Sequence, residues 1–85
     1  MKLNERHLVQ LAAVLDAGGV SEGAAALGLT QPAVSRALSM LEARVGQPLF
    51  VRGKRPVRPT LLGHQLAIQG RAILAASRKA SEAVQ

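Results

Sequence analysis

Thr30-Gln31-Pro32-Ala33-Val34-Ser35-Arg36-Ala37-Leu38-Ser39-Met40-Leu41-Glu42 is the stretch on which the fold of this chain turns. Thr30 is a helix N-cap, and Pro32 sits in the first turn, where a missing N–H costs nothing. The helix should run to about Val45, with Gly46 just past its end and Pro48 beyond. At about 100° per residue, Ala37, Leu38, Leu41 and Val45 fall within about 60° of Val34 and make a core stripe. The opposite face carries Pro32, Ser35, Arg36, Ser39 and Ala43, small side chains around one arginine. A merely solvated face would more often carry Lys and Glu. Small side chains let a backbone approach another surface, and Arg36 can donate two hydrogen bonds to guanine O6 and N7 or to a phosphate. Gln31 at the tip can pair with adenine.

Outward from this helix the elements follow one another closely. Leu8, Leu11, Ala12 and Leu15 keep the i, i+3, i+4, i+7 spacing of a helical face, with Asn4 as N-cap and Gly18-Gly19 as the stop. Ser21 is expected to cap a short second helix through Ala24, Ala25 and Leu27, closed by Gly28. Two short helices, a glycine-containing turn and a third helix with a small outer face make a helix-turn-helix. Leu49-Phe50-Val51-Arg52 then suits a strand, Gly53-Lys54-Arg55-Pro56 a turn, and Val57-Arg58-Pro59 a returning strand. Thr60 caps a final helix that fills the rest of the chain.

Charge points at the ligand. The chain has 11 Lys and Arg against 5 Asp and Glu, a net +6. Arg44, Arg52, Lys54, Arg55 and Arg58 lie between residues 43 and 59 with no acid among them. They cannot all be satisfied by neighbouring carboxylates, and such a cluster fits a polyanion. Arg44, near a helix end, also complements the helix dipole. At the turn tip, Arg55 is the best candidate for a narrow A·T minor groove.

Composition excludes other classes. At 85 residues the chain is one small domain, and with 1% aromatic residues its core must be Leu, Val, Ile and Ala, as in packed helices. The absence of cysteine removes disulfides, Cys-ligated zinc and thiol nucleophiles. His7 and His64 have no spaced partner that would complete a metal site, and no glycine-rich phosphate loop follows a strand. The expectation is a protein that is not an enzyme and uses no cofactor or metal. No apolar run reaches the roughly 20 residues of a membrane span, and the N-terminus lacks a signal peptide's apolar stretch. A cytoplasmic location follows as an expectation.

In the last helix, Leu62, Leu66, Gln69, Ile73, Ala76, Ala80 and Ala83 recur in a 4-3-4-3-4-3 pattern, a heptad seam. About 24 residues at 1.5 Å each span roughly 36 Å, more than so small a domain covers. The seam is therefore expected to pair with a second copy through Leu62, Leu66, Gln69, Ile73, Ala76 and Ala80.

From about Leu8 to Gly63 the chain resembles the LysR-type transcriptional regulators without gaps. The Thr30–Glu42 run is similar to that family's recognition helix, Val45-Gly46-Gln47-Pro48-Leu49-Phe50-Val51-Arg52 to its wing, and Pro59-Thr60-Leu61-Leu62-Gly63 to the start of its linker helix. The resemblance implies a mainly α winged helix-turn-helix over residues 1–60, with three helices and a short β-hairpin wing. A linker and dimerisation helix would occupy 61–85, and the family's effector-binding domain is absent from this chain. It also implies a dimer on a dyad operator of double-stranded DNA, tetrameric in the full-length protein, acting at the bacterial nucleoid. The recognition helix would enter the major groove and the wing the minor groove. The family's base-reading positions match Gln31, Pro32, Ser35 and Arg36, its wing arginine Arg55, and its capping or phosphate position Thr30. With the outward Ser39 and the basic Arg52, Lys54 and Arg58, these make the expected DNA-binding set.

The match has departures. Glu22 stands where Lys or Arg is frequent, Ala26 where a polar residue is, and Val20 replaces a common Phe. Val51 and Leu61 replace common glutamates. A competing reading, a basic module for membrane surfaces or acidic proteins, fares worse. A membrane-surface helix sets Lys and Arg opposite Trp, Phe or Leu, whereas this basic cluster lies in a hairpin.

Overall fold

A computed structural model describes residues 2–51 and 53–84. Asn4 opens the first helix, α1 (Glu5–Ala17), by accepting hydrogen bonds from the backbone N–H groups of Arg6 at 2.9 Å and His7 at 3.4 Å. Gly18 ends it with φ 90°, a left-handed conformation that favours glycine. The second helix, α2 (Val20–Leu27), begins earlier than the cap expected at Ser21, which lies inside its first turn. Gly19 is the N-cap instead and offers no side-chain hydrogen bond. The reason is packing: a Cβ at Gly23 would lie 2.7 Å from the Val14 Cα, so α2 lies directly on the α1 backbone there. Glu22 brings its carboxylate beside Gly19, an acid in the first turn where the helix dipole favours it.

The third helix, α3 (Gln31–Val45), is capped as the sequence predicts. Thr30 Oγ1 accepts from the Ala33 N–H at 3.3 Å, Pro32 sits in the first turn, and Gly46 closes the helix. The wing is a two-stranded antiparallel sheet, β1 (Phe50–Val51) and β2 (Arg58–Pro59), paired Phe50 to Pro59 and Val51 to Arg58. These strands are shorter than expected. Leu49 is fully buried in the core instead of extending β1, and Arg52 lies outside the described residues. The Val57 N–H donates to the Gly18 carbonyl at 3.0 Å and seats the wing on the end of α1.

The last helix, α4 (Leu61–Val84), starts at a small knot of hydrogen bonds. Thr60 Oγ1 donates to the Pro48 carbonyl at 2.9 Å and accepts from the Gly63 N–H at 3.1 Å, while the Thr60 N–H donates to the Leu49 carbonyl. From there α4 runs across α1. Leu8, Leu11 and Val14 of α1, Ala24 of α2, Val34, Leu38 and Leu41 of α3, Leu49 and Leu66 form one buried cluster. Leu62 and Ile73 pack against it.

Glycine makes the α4 contact possible. A Cβ at Gly63 would overlap the Leu49 carbonyl oxygen, and one at Gly70 would overlap the Leu8 carbonyl oxygen. Ala67 between them is fully buried. In both overlaps the obstructing atom is backbone, which cannot rotate away as a side-chain tip can. Gly70→Ala and Gly63→Ala should each destabilise the domain by about 1–3 kcal/mol or more. Thermal unfolding should register this as a drop of about 4–8 °C for each kcal/mol. An unchanged midpoint in either variant would show that α4 can lift off at that contact.

Candidate nucleic-acid interface

The α3 helix divides cleanly. Val34, Ala37, Leu38 and Leu41 are buried in the core, whereas Gln31, Pro32, Arg36, Ser39 and Ala43 are exposed and Ser35 is half-buried. The expected outward face is therefore presented to solvent, and Thr30 is exposed at its leading end. That face also holds a bond that the spacing of apolar residues does not show. The Gln31 amide donates to Ser35 Oγ at 3.0 Å, one helical turn along. This bond holds the Gln31 side chain against the helix and leaves its carbonyl oxygen and second N–H facing solvent. The i, i+4 spacing of an amide and a hydroxyl is the signal of it in the sequence.

Arg36 lies on this face without a side-chain hydrogen bond or ion pair among the described residues. Lys54, Arg55 and Arg58 of the wing are exposed and equally unpartnered among the described residues. The ion pair that is found lies elsewhere: Arg71 of α4 clasps Asp16 of α1 with contacts of 2.6, 3.0 and 3.1 Å. Hydrogen bonding to that carboxylate raises the Arg71 guanidinium further above its ordinary value. The expected contact residue Arg52 lies outside the described residues.

The wing is tied to α3 by a bond that periodicity does not reveal. Glu42 Oε2 accepts from the Leu49 N–H at 2.8 Å, across the turn that leads into β1. The acid that ends the quoted helix run thus aims the strand that follows. A carboxylate accepting a backbone N–H makes a charge-assisted bond, stronger than a neutral one.

For α4 the expectation needs correction. Leu66 is 6% exposed and belongs to the core, with Leu62 and Ile73 packed around it, so these members of the expected dimer seam are used within the chain. Gln69, Ala76 and Ala80 are exposed. The cause is the glycine pair, which lets this side of α4 settle onto α1. A second stripe with the same 4-3-4-3 spacing, Leu61, Gln65, Ile68, Ala72 and Ala75, lies about 100° round the helix from the first and faces solvent. Leu61 is 75% and Ile68 53% exposed. Two neighbouring faces of the helix carry heptad spacing, and only packing chose between them.

Among the described residues no group of His, Cys, Asp or Glu could hold a metal ion, and no helix is long and apolar enough to cross a membrane.

Comparison with known proteins agrees with this geometry. The family model described as bacterial regulatory helix-turn-helix protein, lysR family, matches residues 5–64. The HTH-type transcriptional regulator ArgP of Pseudomonas aeruginosa (strain UCBPP-PA14) is 54% identical over 59 residues, 69% of this chain and 19% of that protein. The chain thus spans about a fifth of the curated relatives it matches first. A crystal structure of the BenM DNA-binding domain in complex with catB site 1 DNA superposes with a TM-score of 0.79 at 30% identity, covering 94% of this chain and 86% of that one. ArgP from Mycobacterium tuberculosis superposes at 0.78 with 34% identity, over 99% of this chain and 32% of that one.

The two basic elements should separate in binding measurements. Arg36→Ala should cost about 1–3 kcal/mol per half-site on the cognate operator and far less on scrambled DNA. Arg55→Ala should weaken sites with A·T-rich flanks more than G·C-rich ones. An equal loss on cognate and scrambled DNA would make Arg36 a phosphate contact, and indifference to flank composition would make Arg55 a general clamp.

Proposed function

This chain belongs to the lysR family of bacterial regulatory helix-turn-helix proteins and is a DNA-binding domain of a transcription regulator, and from that premise we propose how it engages its site. The α3 helix enters the major groove of a dyad operator and the wing reaches the adjacent minor groove. The single observation that carries this reading is Arg36, exposed and unpartnered on a helix face otherwise made of small side chains. Among the described residues it makes no ion pair or side-chain hydrogen bond, and its guanidinium suits a guanine edge. The prearranged Gln31 and Ser35 stand beside it, with Pro32 and Ser39 completing the approach surface and Thr30 at the phosphate end. Lys54, Arg55 and Arg58 supply the positive wing. Glu22 leaves α2 less able to hold phosphate through side chains.

Residues 1–60 are the winged helix-turn-helix in this proposal, and 61–85 the linker helix through which two copies pair. The pairing surface is the outward stripe Leu61, Gln65, Ile68 and Ala72, bordered by Gln69 and Ala76, and continued by Ala80 where α4 has left its own domain. An effector-binding domain would follow in the longer regulator, acting on chromosomal DNA in the cytoplasm.

Two measurements test this. In titrations of duplex binding, log affinity should fall linearly with log salt, by about 0.9 per neutralised phosphate. A flat response would sink the electrostatic part. In sedimentation, Ile68→Asp should give a folded monomer with sharply reduced operator affinity, whereas Leu66→Asp should unfold the domain by placing a charge in its core. A folded Ile68→Asp dimer would move the interface to another face.

A further inference from the structure

The side of α3 that faces α1 carries charge beyond the proposed reading surface. From Arg36 at the edge of that surface, Met40 and Arg44 follow at i+4 spacing along the flank, and all three are exposed. Folding brings the start of the chain against them. Lys2, His7 and Arg44 line one groove with Met40, and Arg6, His7 and Arg36 line the adjoining groove, again with Met40. No acid lines either groove. Glu5, the acid adjacent in sequence, borders a different groove beside α4, which Arg6 also reaches, and makes no ion pair with it. Among the described residues Lys2, Arg6, Arg36 and Arg44 make no ion pair and no side-chain hydrogen bond. Like charges from the start of the chain and from α3, far apart in sequence, have thus been gathered along one groove without compensation.

Such a row costs stability through mutual repulsion unless an anion lies along it. The geometry of the neighbouring face says which anion. A helix about 10–12 Å across nearly fills a major groove about 12 Å wide, so the bordering phosphates press on its flanks. Arg36 belongs both to the outer face and to this flank, which makes the two surfaces continuous. We propose that Lys2, Arg6 and Arg44 form a phosphate clamp in the α1–α3 groove, beside the base-reading Arg36, gripping the DNA strand that borders the groove entered by α3. The proposal rests on the DNA-binding reading above and extends the interface to the first helix, where no base is read. Met40, 60% exposed between the arginines, lines the groove floor against the sugar edge of that strand.

The clamp predicts a sequence-independent loss. The triple variant Lys2→Ala, Arg6→Ala, Arg44→Ala should bind an operator duplex and a random-sequence duplex more weakly by the same factor. The slope of log affinity against log salt should become shallower by about 0.9 for each phosphate that is no longer neutralised. The variant Arg6→Lys, Arg44→Lys should keep the wild-type slope, because a phosphate needs charge more than guanidinium geometry. These side chains are exposed and repel one another, so the thermal midpoint should not fall; if the triple variant fails to fold, the single variants Lys2→Ala and Arg44→Ala give the same slope measurement. Unchanged affinity and slope, with wild type and Arg36→Ala behaving as described earlier, would overturn the clamp and leave the DNA-binding reading intact; the groove would then serve an acidic protein surface. A loss confined to the operator duplex would also overturn it, by making these base contacts. If the wild-type chain binds neither duplex, the DNA-binding reading and the clamp fall together.

Discussion

The backbone-to-backbone seat of α4 is the constraint on which the rest of the molecule depends. With no aromatic residue except Phe50, the core cannot be filled by large side chains, so its elements must approach closely. Gly63 lies on the Leu49 carbonyl and Gly70 on the Leu8 carbonyl, with Ala67 sealed between them. These contacts leave α4 no freedom to roll or slide. Its direction relative to α3 and to the wing is set at the same time, because Leu49 opens the wing and Leu8 sits in the core beside Val34 and Leu38. The Arg71–Asp16 pair lies at the solvent edge of the same contact, where an exposed ion pair contributes only about 0–1 kcal/mol. Packing, and not that pair, holds the angle.

Rigidity of this kind separates the duties of α3. Its inner stripe is consumed by the core, and its outer face takes no part in the core packing. That face can therefore carry Gln31, Ser35 and Arg36 without cost to the core, and in the proposed reading the Gln31 conformation is arranged before DNA arrives. A side chain already held in place loses less freedom on binding than one that must be ordered there.

Four of the five acids complete the electrostatic design. Asp16 is paired with Arg71, Glu22 lies at the start of α2, Glu42 accepts from the Leu49 N–H, and Glu5 lies in the first turn of α1. Each is placed where it stabilises local structure. The cations of the wing and of the α1–α3 groove are left without carboxylates among the described residues. Their field is available to a phosphate backbone, which also explains why net positive charge is concentrated and not spread.

The local elements were determined by sequence alone. Asn4, Gly18, Thr30 and Gly46 act as the stops and starts that their chemistry demands, because a cap depends only on residues two or three positions away. The inner and outer faces of α3 were legible for the same reason, since only one of them is apolar. Ser21 misled because the start of α2 is set by Gly23 against Val14, a contact with another helix. The heptad of α4 misled because two neighbouring faces of that helix keep the same spacing, and the face that turns inward depends on carbonyls presented by α1 and by the turn before the wing. The Glu42 bond to the wing and the convergence of Lys2 and Arg6 on Arg36 and Arg44 were beyond periodicity altogether. Periodicity describes a helix by itself, whereas orientation and convergence arise from the surfaces that distant residues offer it.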